Sequence, residues 1–228
     1  MSYFRSIVFC SVLIGLTVGL VITTIQYFGT TRLIAQAEVY ESAGTAHEIE
    51  AKADHHEGDH AWEPEDGWER NAYTFAANSL TAIGYSLALL GLMSMQGKIS
   101  DWKEGLFWGI AAFVCVMLAP MLGLPPELPG TPAGPLADRQ LWWAGTALAT
   151  AGGLWLLAFK RTPWIAVVAV ALIVSPHLIG APLAPEGEHA LAPESLERQF
   201  VVAAVITSFV FWALLGSLSG VAAKRIAV

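Results

Sequence analysis

Residues 7–28 read IVFCSVLIGLTVGLVITTIQYF, a run without a single charged side chain. A hydrocarbon core of about 30 Å is crossed by about 20 apolar residues in a helix, so this run sets the solvent in which the rest of the chain is read. Five more runs of similar kind follow, at 71–96, 105–122, 140–159, 164–183 and 200–221. Of the 228 residues 55% are apolar and only 14% charged, whereas an ordinary soluble chain carries about a quarter charged residues. The expected fold is an all-α integral membrane protein with six transmembrane helices. Residues 1–228 then form a single six-helix membrane domain, because no segment between the runs is long enough to fold separately. The longest connection is residues 29–70.

Lys and Arg accumulate on the cytoplasmic side of a membrane. Arg5, Lys98, Lys103, Lys160, Arg161, Lys224 and Arg225 fall on one side of the expected bundle, and Arg32, Lys52, Arg70, Arg139 and Arg198 on the other. This bias, with Arg5 ahead of the first run, predicts cytoplasmic N- and C-termini. Only Asp101 and Glu104 of the 19 acids lie inside, which leaves the outer face strongly acidic. Such a face attracts cations and repels nucleic acid and anionic substrates. Cys10 and Cys115 lie in apolar runs far apart in sequence and read as packing residues. Ala35-Gln36-Ala37 matches a cleavage pattern, but the run before it is longer than the core of a removable signal.

Three runs that return from the outer side begin with one phrase: Glu69-Arg70-Asn71, Asp138-Arg139-Gln140 and Glu197-Arg198-Gln199. The runs leading outward also resemble one another, one ending APMLGLPPE (119–127) and another SPHLIGAPLAPE (175–186). These repeats predict three consecutive helical hairpins, arranged as a pseudo-threefold bundle. An acid at a helix start complements the macrodipole and Arg reaches the headgroups, so anchoring accounts for the phrase. In the alternative account the pairs Glu69 and Arg70, Asp138 and Arg139, and Glu197 and Arg198 ring an outer vestibule that concentrates cations.

Pro120 and Pro176 each remove a backbone donor late in an outward run, and interrupted helices in matching places point to a transport site. His177 is the only histidine within a run. Ionisable groups there are functional by default, although a hydrogen bond to a neighbouring carbonyl is a structural alternative. Asn78, Ser79 and Thr81 are read as helix–helix hydrogen-bonding groups.

Four of the six histidines, His47, His55, His56 and His60, sit in the first long connection, around DHHEGDH at 54–60. Neutral imidazole suits divalent transition metals, and carboxylates such as Asp54 and Asp59 add oxygen ligands. Gly58 argues against a rigid helix there, so the segment reads as an adaptable metal-capture loop. Trp62, Trp68 and Tyr73 then approach the interface, where amphipathic rings are enriched.

The histidine-bearing connection closing in DGWER (66–70), together with GLPPELPG (123–130), RQLWW (139–143) and PHLIGAP (176–182), resembles the CbtA family of predicted cobalt transporter subunits found beside cobalamin genes in bacteria. The resemblance covers the whole chain. It implies cobalt uptake across the bacterial inner membrane, with cobalt(II) or a related divalent metal as cargo rather than a permanently bound cofactor. A small single-span, histidine-rich partner subunit is also implied. Its motif positions are Glu69, Arg70, Glu127, Asp138, Arg139 and His177, with the loop histidines as accessory ligands. His177 with Glu127 would offer a transient site at the interrupted helices.

No nucleotide motor is visible: GLMSMQGKIS (91–100) has the wrong spacing for a phosphate loop and Ile99 in place of Ser or Thr. The membrane potential, worth about 2.3 kcal/mol per charge per 100 mV, drives a divalent ion unaided. The rival reading is a non-transporting membrane protein that binds metal and hands it to a partner. An enzyme is not expected, because one span histidine with scattered hydroxyls makes a poor water-activating set.

Overall fold

The computed structural model describes residues 2–51, 64–97, 101–160, 162–185, 187 and 189–226, with the side chains of residues 2 and 44–51 left out. The described residues form seven helices, α1 (Ser2–Phe28), α2 (Thr30–Ala51), α3 (Trp68–Gln96), α4 (Trp102–Met121), α5 (Leu136–Phe159), α6 (Pro163–Ile179) and α7 (Glu194–Ile226). No strand occurs among the described residues. Five helices, α1, α3, α4, α5 and α7, are long and apolar enough to cross a membrane. The run expected at 164–183 gives the shorter α6, of 17 residues. It stops because Gly180 takes φ 88°, a left-handed value that closes helices, and Pro182 follows.

The first connection is not simply a loop. Only Gly29 separates α1 from α2, and its N–H still reaches the Ile25 carbonyl at 3.0 Å. α2 then lays Leu33, Ile34 and Ala37 against Leu128, Ala192, Leu196 and Phe200. This apolar cluster joins α2, the connections after α4 and α6, and the start of α7. It marks the acidic end of the bundle, since Glu38, Glu127, Glu194 and Glu197 lie around it; the start of α1 and the end of α7 lie at the opposite end.

Glycine decides which helices meet. In lipid, helices gain nothing from leaving water, so close backbone packing at small residues drives association. Gly105 and Gly109 of α4 face Gly216 and Gly220 of α7 so tightly that a Cβ on Gly109 would lie 2.2 Å from the Trp212 carbonyl oxygen. Gly15 and Gly19 of α1 press equally closely on Ile83 and Ser79 of α3, and Gly153 of α5 on Ala169 and Ile173 of α6. The principal pairs are therefore α1 with α3, α4 with α7 and α5 with α6. The first expected hairpin is the α1–α3 pair, but the second and third are not formed as expected: α4 partners α7, with the α5–α6 pair inserted between them in sequence. α7 also packs on α1 and α3, and Leu90, Met93, Trp212 and Leu215 fill the centre.

Neither proline breaks its helix. Pro120 has no N–H for the Val116 carbonyl, and the turn Val114–Leu118 is π-helical; the indole of Trp143 donates to that carbonyl at 3.2 Å. Pro176 likewise frees the Leu172 carbonyl, which accepts from the Ser175 hydroxyl at 2.9 Å. Side chains thus repair both ladders, as a bilayer requires.

Gly109→Leu should cost at least about 3 kcal/mol by overpacking at the α4–α7 crossing, read as loss of thermal stability of the detergent-solubilised chain. Gly145→Ala, with open space around its position, should change stability by less than about 1 kcal/mol.

Candidate functional site

Directly beneath the acidic-end cluster lies a cavity of 360 Å³ between α1, α2, α3, the π turn of α4 and α7. Ile34 and Phe200 belong to both cluster and cavity, so the cluster forms its roof. The lining carries Gln26, Thr30, Asn78, Thr81, Thr207 and Ser208, an unusual density of polar groups for an apolar bundle. Thr30 and Thr207 are buried. The Asn78 amide donates to Thr23 Oγ1 at 2.9 Å and to Gln26 Oε1 at 2.6 Å. With its donors engaged, Asn78 keeps Oδ1 as an acceptor for a guest.

The floor is aromatic. Tyr85 and Trp212 lie 4.7 Å apart between ring centroids, with Phe211 beside both. Tyr85, Trp212 and Val116 of the π turn also line a second cavity, of 570 Å³, which runs between α3, α4 and α5 to Gln96, Glu104 and Phe159. Its lining is mostly apolar. Shared side chains therefore divide a cavity near the acidic end, apolar over most of its lining but with this group of polar side chains, from a larger and more apolar one toward the opposite end. π turns are frequent at functional sites, and this one supplies part of the wall.

Around the roof the arginines of the repeated phrase are all ion-paired, but not with the acids that precede them. Arg70 is held by Glu38 of α2 and by Asp66, the latter at 2.9 Å. Arg139 meets Glu127 at 2.5 Å, tying the connection after α4 to the start of α5. Arg198 meets Glu194 at 2.9 Å on an exposed surface. Glu69 instead accepts from the backbone N–H of Glu65 at 3.2 Å. The Glu197 carboxylate has one oxygen, Oε1, sealed from solvent with no hydrogen-bond partner among the described residues.

The other sequence-derived candidates are placed as follows. His177 is half-buried on α6, its ring edge-on to Trp142 at 5.8 Å, and no residue of α5 or α6 lines the polar chamber. The Glu127 carboxylate is engaged by Arg139. Among the described residues no three His, Cys, Asp or Glu side chains gather as a metal-holding group. Asp54, His55, His56, Asp59 and His60 lie outside the described residues, and His47 lies in α2 with its side chain outside them. Asn78 does bond across helices as expected, to α1, and also lines the chamber. Gln26, Thr30, Thr207 and Ser208 were missed. Their signal was polar side chains at helical spacing inside or just beyond apolar runs, as in Thr23, Gln26 and Thr30.

Several apolar helices long enough to span a bilayer are those of a multi-pass membrane protein. The family model described as "Probable cobalt transporter subunit (CbtA)" matches residues 4–224, and the chain belongs to this family. No curated protein and no solved structure matches it. The family is the one that the sequence motifs implied.

Glu127→Ala should cost about 1–3 kcal/mol, since it leaves the half-buried Arg139 guanidinium without its carboxylate. Glu194→Ala, at an exposed pair, should cost less than about 0.5 kcal/mol. Thermal unfolding of the two variants side by side gives the contrast.

Proposed function

We propose that the chain is the membrane permease, or the permease subunit, through which cobalt(II) or a related divalent transition metal enters a bacterial cell across the inner membrane, for cobalamin synthesis. The observation that carries this reading is a cavity between the helices that gathers several polar side chains, in a chain from a cobalt transporter family. α6 serves as the sixth crossing: at 1.5 Å per residue its 17 residues span about 25 Å, within the range of short spans. Both termini are cytoplasmic and the acidic end faces outward.

Metal is gathered first by the outer connection, through His47, His55, His56 and His60 with Asp54 and Asp59. Loosely held, exchangeable ligands suit this step, because an ion must also leave. It then passes acids Glu69, Asp138 and Glu197 at the mouth, where Arg70, Arg139 and Arg198 order the surrounding carboxylates, and enters the polar chamber. Passage onward requires the wall of Tyr85, Val116 and Trp212 to part. The membrane potential supplies the drive, at about 2.3 kcal/mol per charge per 100 mV. A small single-span, histidine-rich subunit is the expected partner in delivery, and no catalytic step is involved.

Purified chain in liposomes holding a metal indicator should admit cobalt(II) when the interior is made negative, alone or with the partner subunit. A chain that binds cobalt yet passes none under either condition is the non-transporting metal carrier instead. Replacing all four loop histidines with Ala should lower uptake several-fold at low external metal and leave the maximal rate unchanged. An unaltered concentration dependence removes the capture step.

A further inference from the structure

We infer that the 570 Å³ cavity between α3, α4 and α5 holds one acyl chain of a phospholipid, drawn in from the leaflet opposite the acidic end, with the lipid phosphate at Lys160. The inference needs only that the bundle stands in a bilayer, and it goes beyond the transport reading.

The lining argues first. Alanine and aromatic side chains make up most of it. It grades from an exposed rim, where Phe107 is 71% exposed, to a buried floor at Cys115 and Trp212, 8% and 3% exposed. The space exists because α3 and α5 are not one of the packed helix pairs. An apolar cavity excludes water and accepts apolar guests, and an empty one forfeits dispersion contacts along its lining. In a bilayer the guest at hand is hydrocarbon. Dimensions then choose between a lipid tail and another helix. From Tyr85 to Gln96 the cavity follows α3 for about 16 Å at 1.5 Å per residue. That is half of the hydrocarbon core of about 30 Å, so its depth is one leaflet and the reach of one tail. A helix about 10 Å across would need about 1,300 Å³ over that length, more than twice the space. A tail of about 17 carbons, each taking about the 30 Å³ of a water molecule, fills about 500 Å³.

Charge places the head group. Gln96 ends α3, Glu104 lies in the first turn of α4 and Phe159 ends α5, so the polar members of the lining stand at its membrane-surface rim. Lys160 follows Phe159 directly. Its ammonium lies 6.0 Å from the ring centroid of Trp155, a lining residue, and has no carboxylate partner among the described residues. Basic side chains at such a rim bind lipid phosphate. Glu104 carries the opposite sign, so a head group with an ammonium beside its phosphate, as in phosphatidylethanolamine, complements both. The tail then lies against the wall of Tyr85, Val116 and Trp212 on the side away from the polar chamber. Hydrocarbon there insulates the resting bundle, because a charge entering it pays a large cost.

Phosphatidylethanolamine carrying a photoactivated diazirine near the end of one tail tests this, in nanodiscs of the unlabelled lipid that hold the full chain. Mass spectrometry after irradiation locates the adducts. The expected result is adducts on Cys115 and Trp212, which are buried from the lipid belt, beside those on the outward Leu148, 74% exposed. Ala88→Leu and Ala151→Phe narrow the cavity from exposed positions. Each should lower the Cys115 and Trp212 adducts several-fold and leave Leu148 labelled as before, with thermal unfolding reporting that the variant is folded; two variants protect the comparison if one misfolds. Lys160→Gln should lower the same two adducts for phosphatidylethanolamine but not for a diazirine diacylglycerol, which lacks the phosphate. Adducts confined to outward residues such as Leu148 overturn the inference, the result also expected if another helix fills the cavity. Cys115 and Trp212 adducts at full yield in both narrowed variants overturn it as well, and equal labelling of the Lys160→Gln and unmodified chains removes the phosphate contact. No metal enters the measurement, so failure of cobalt uptake leaves this site standing.

Discussion

The contact on which the rest of the molecule depends is that of Gly105 and Gly109 with Gly216 and Gly220. Four positions without side chains let the α4 and α7 backbones touch, and dispersion over that seam replaces the hydrophobic drive that a bilayer does not supply. The crossing fixes Trp212 one turn from Gly216, where it meets Tyr85 of α3. The α1–α3 seam at Gly15 and Gly19 plays the matching part. It sets Gln26 and Thr23 within hydrogen-bond reach of Asn78. Polar walls and floor of the chamber thus depend on two glycine seams, none of whose glycines is in its lining.

The prolines act in the same direction. Pro120 leaves a carbonyl that Trp143 must satisfy, and the π turn before it swings Val116 and Met117 into the chamber lining. Pro176 is repaired by Ser175, and its own carbonyl accepts from the Trp142 indole at 3.2 Å. Two tryptophans of α5 are thereby bonded to proline-bearing turns of α4 and α6. That pairing explains why the similar proline-rich phrases end in similar places although α4 and α6 have different helix partners.

Much of this was legible in the chain. The apolar runs announced helices, and the motif set announced the family, because composition and local spacing survive without tertiary information. What remained hidden was partnership. The repeated acid–Arg–carboxamide phrase invited a pairing of neighbours in sequence, yet Arg70 reaches back to Glu38 in a helix that looked like loop, and Arg139 to Glu127. An i, i+1 pair points to different sides of a helix, so these longer pairings are what the geometry allows. The GLFWG and GSLSG segments (105–109 and 216–220) carried the missing information, as small residues four apart. The chamber was hidden for a similar reason: Gln26, Asn78 and Thr207 are ordinary isolated polar residues until three helices bring them together.

The wall of Tyr85, Val116 and Trp212 has an electrical meaning under the proposed orientation. A voltage falls mainly across the insulating part of its path, so under the proposed function an antechamber that fills with water from the outer side, once the roof admits an ion, is nearly isopotential with the medium. An ion resting against Trp212 has therefore done little work against or with the field. Almost the whole zFΔψ gain of a doubly charged particle, about 4.6 kcal/mol per 100 mV, is realised on the far side of those three side chains. Occupancy of the antechamber is then set by concentration, and the commitment to enter the cell by voltage.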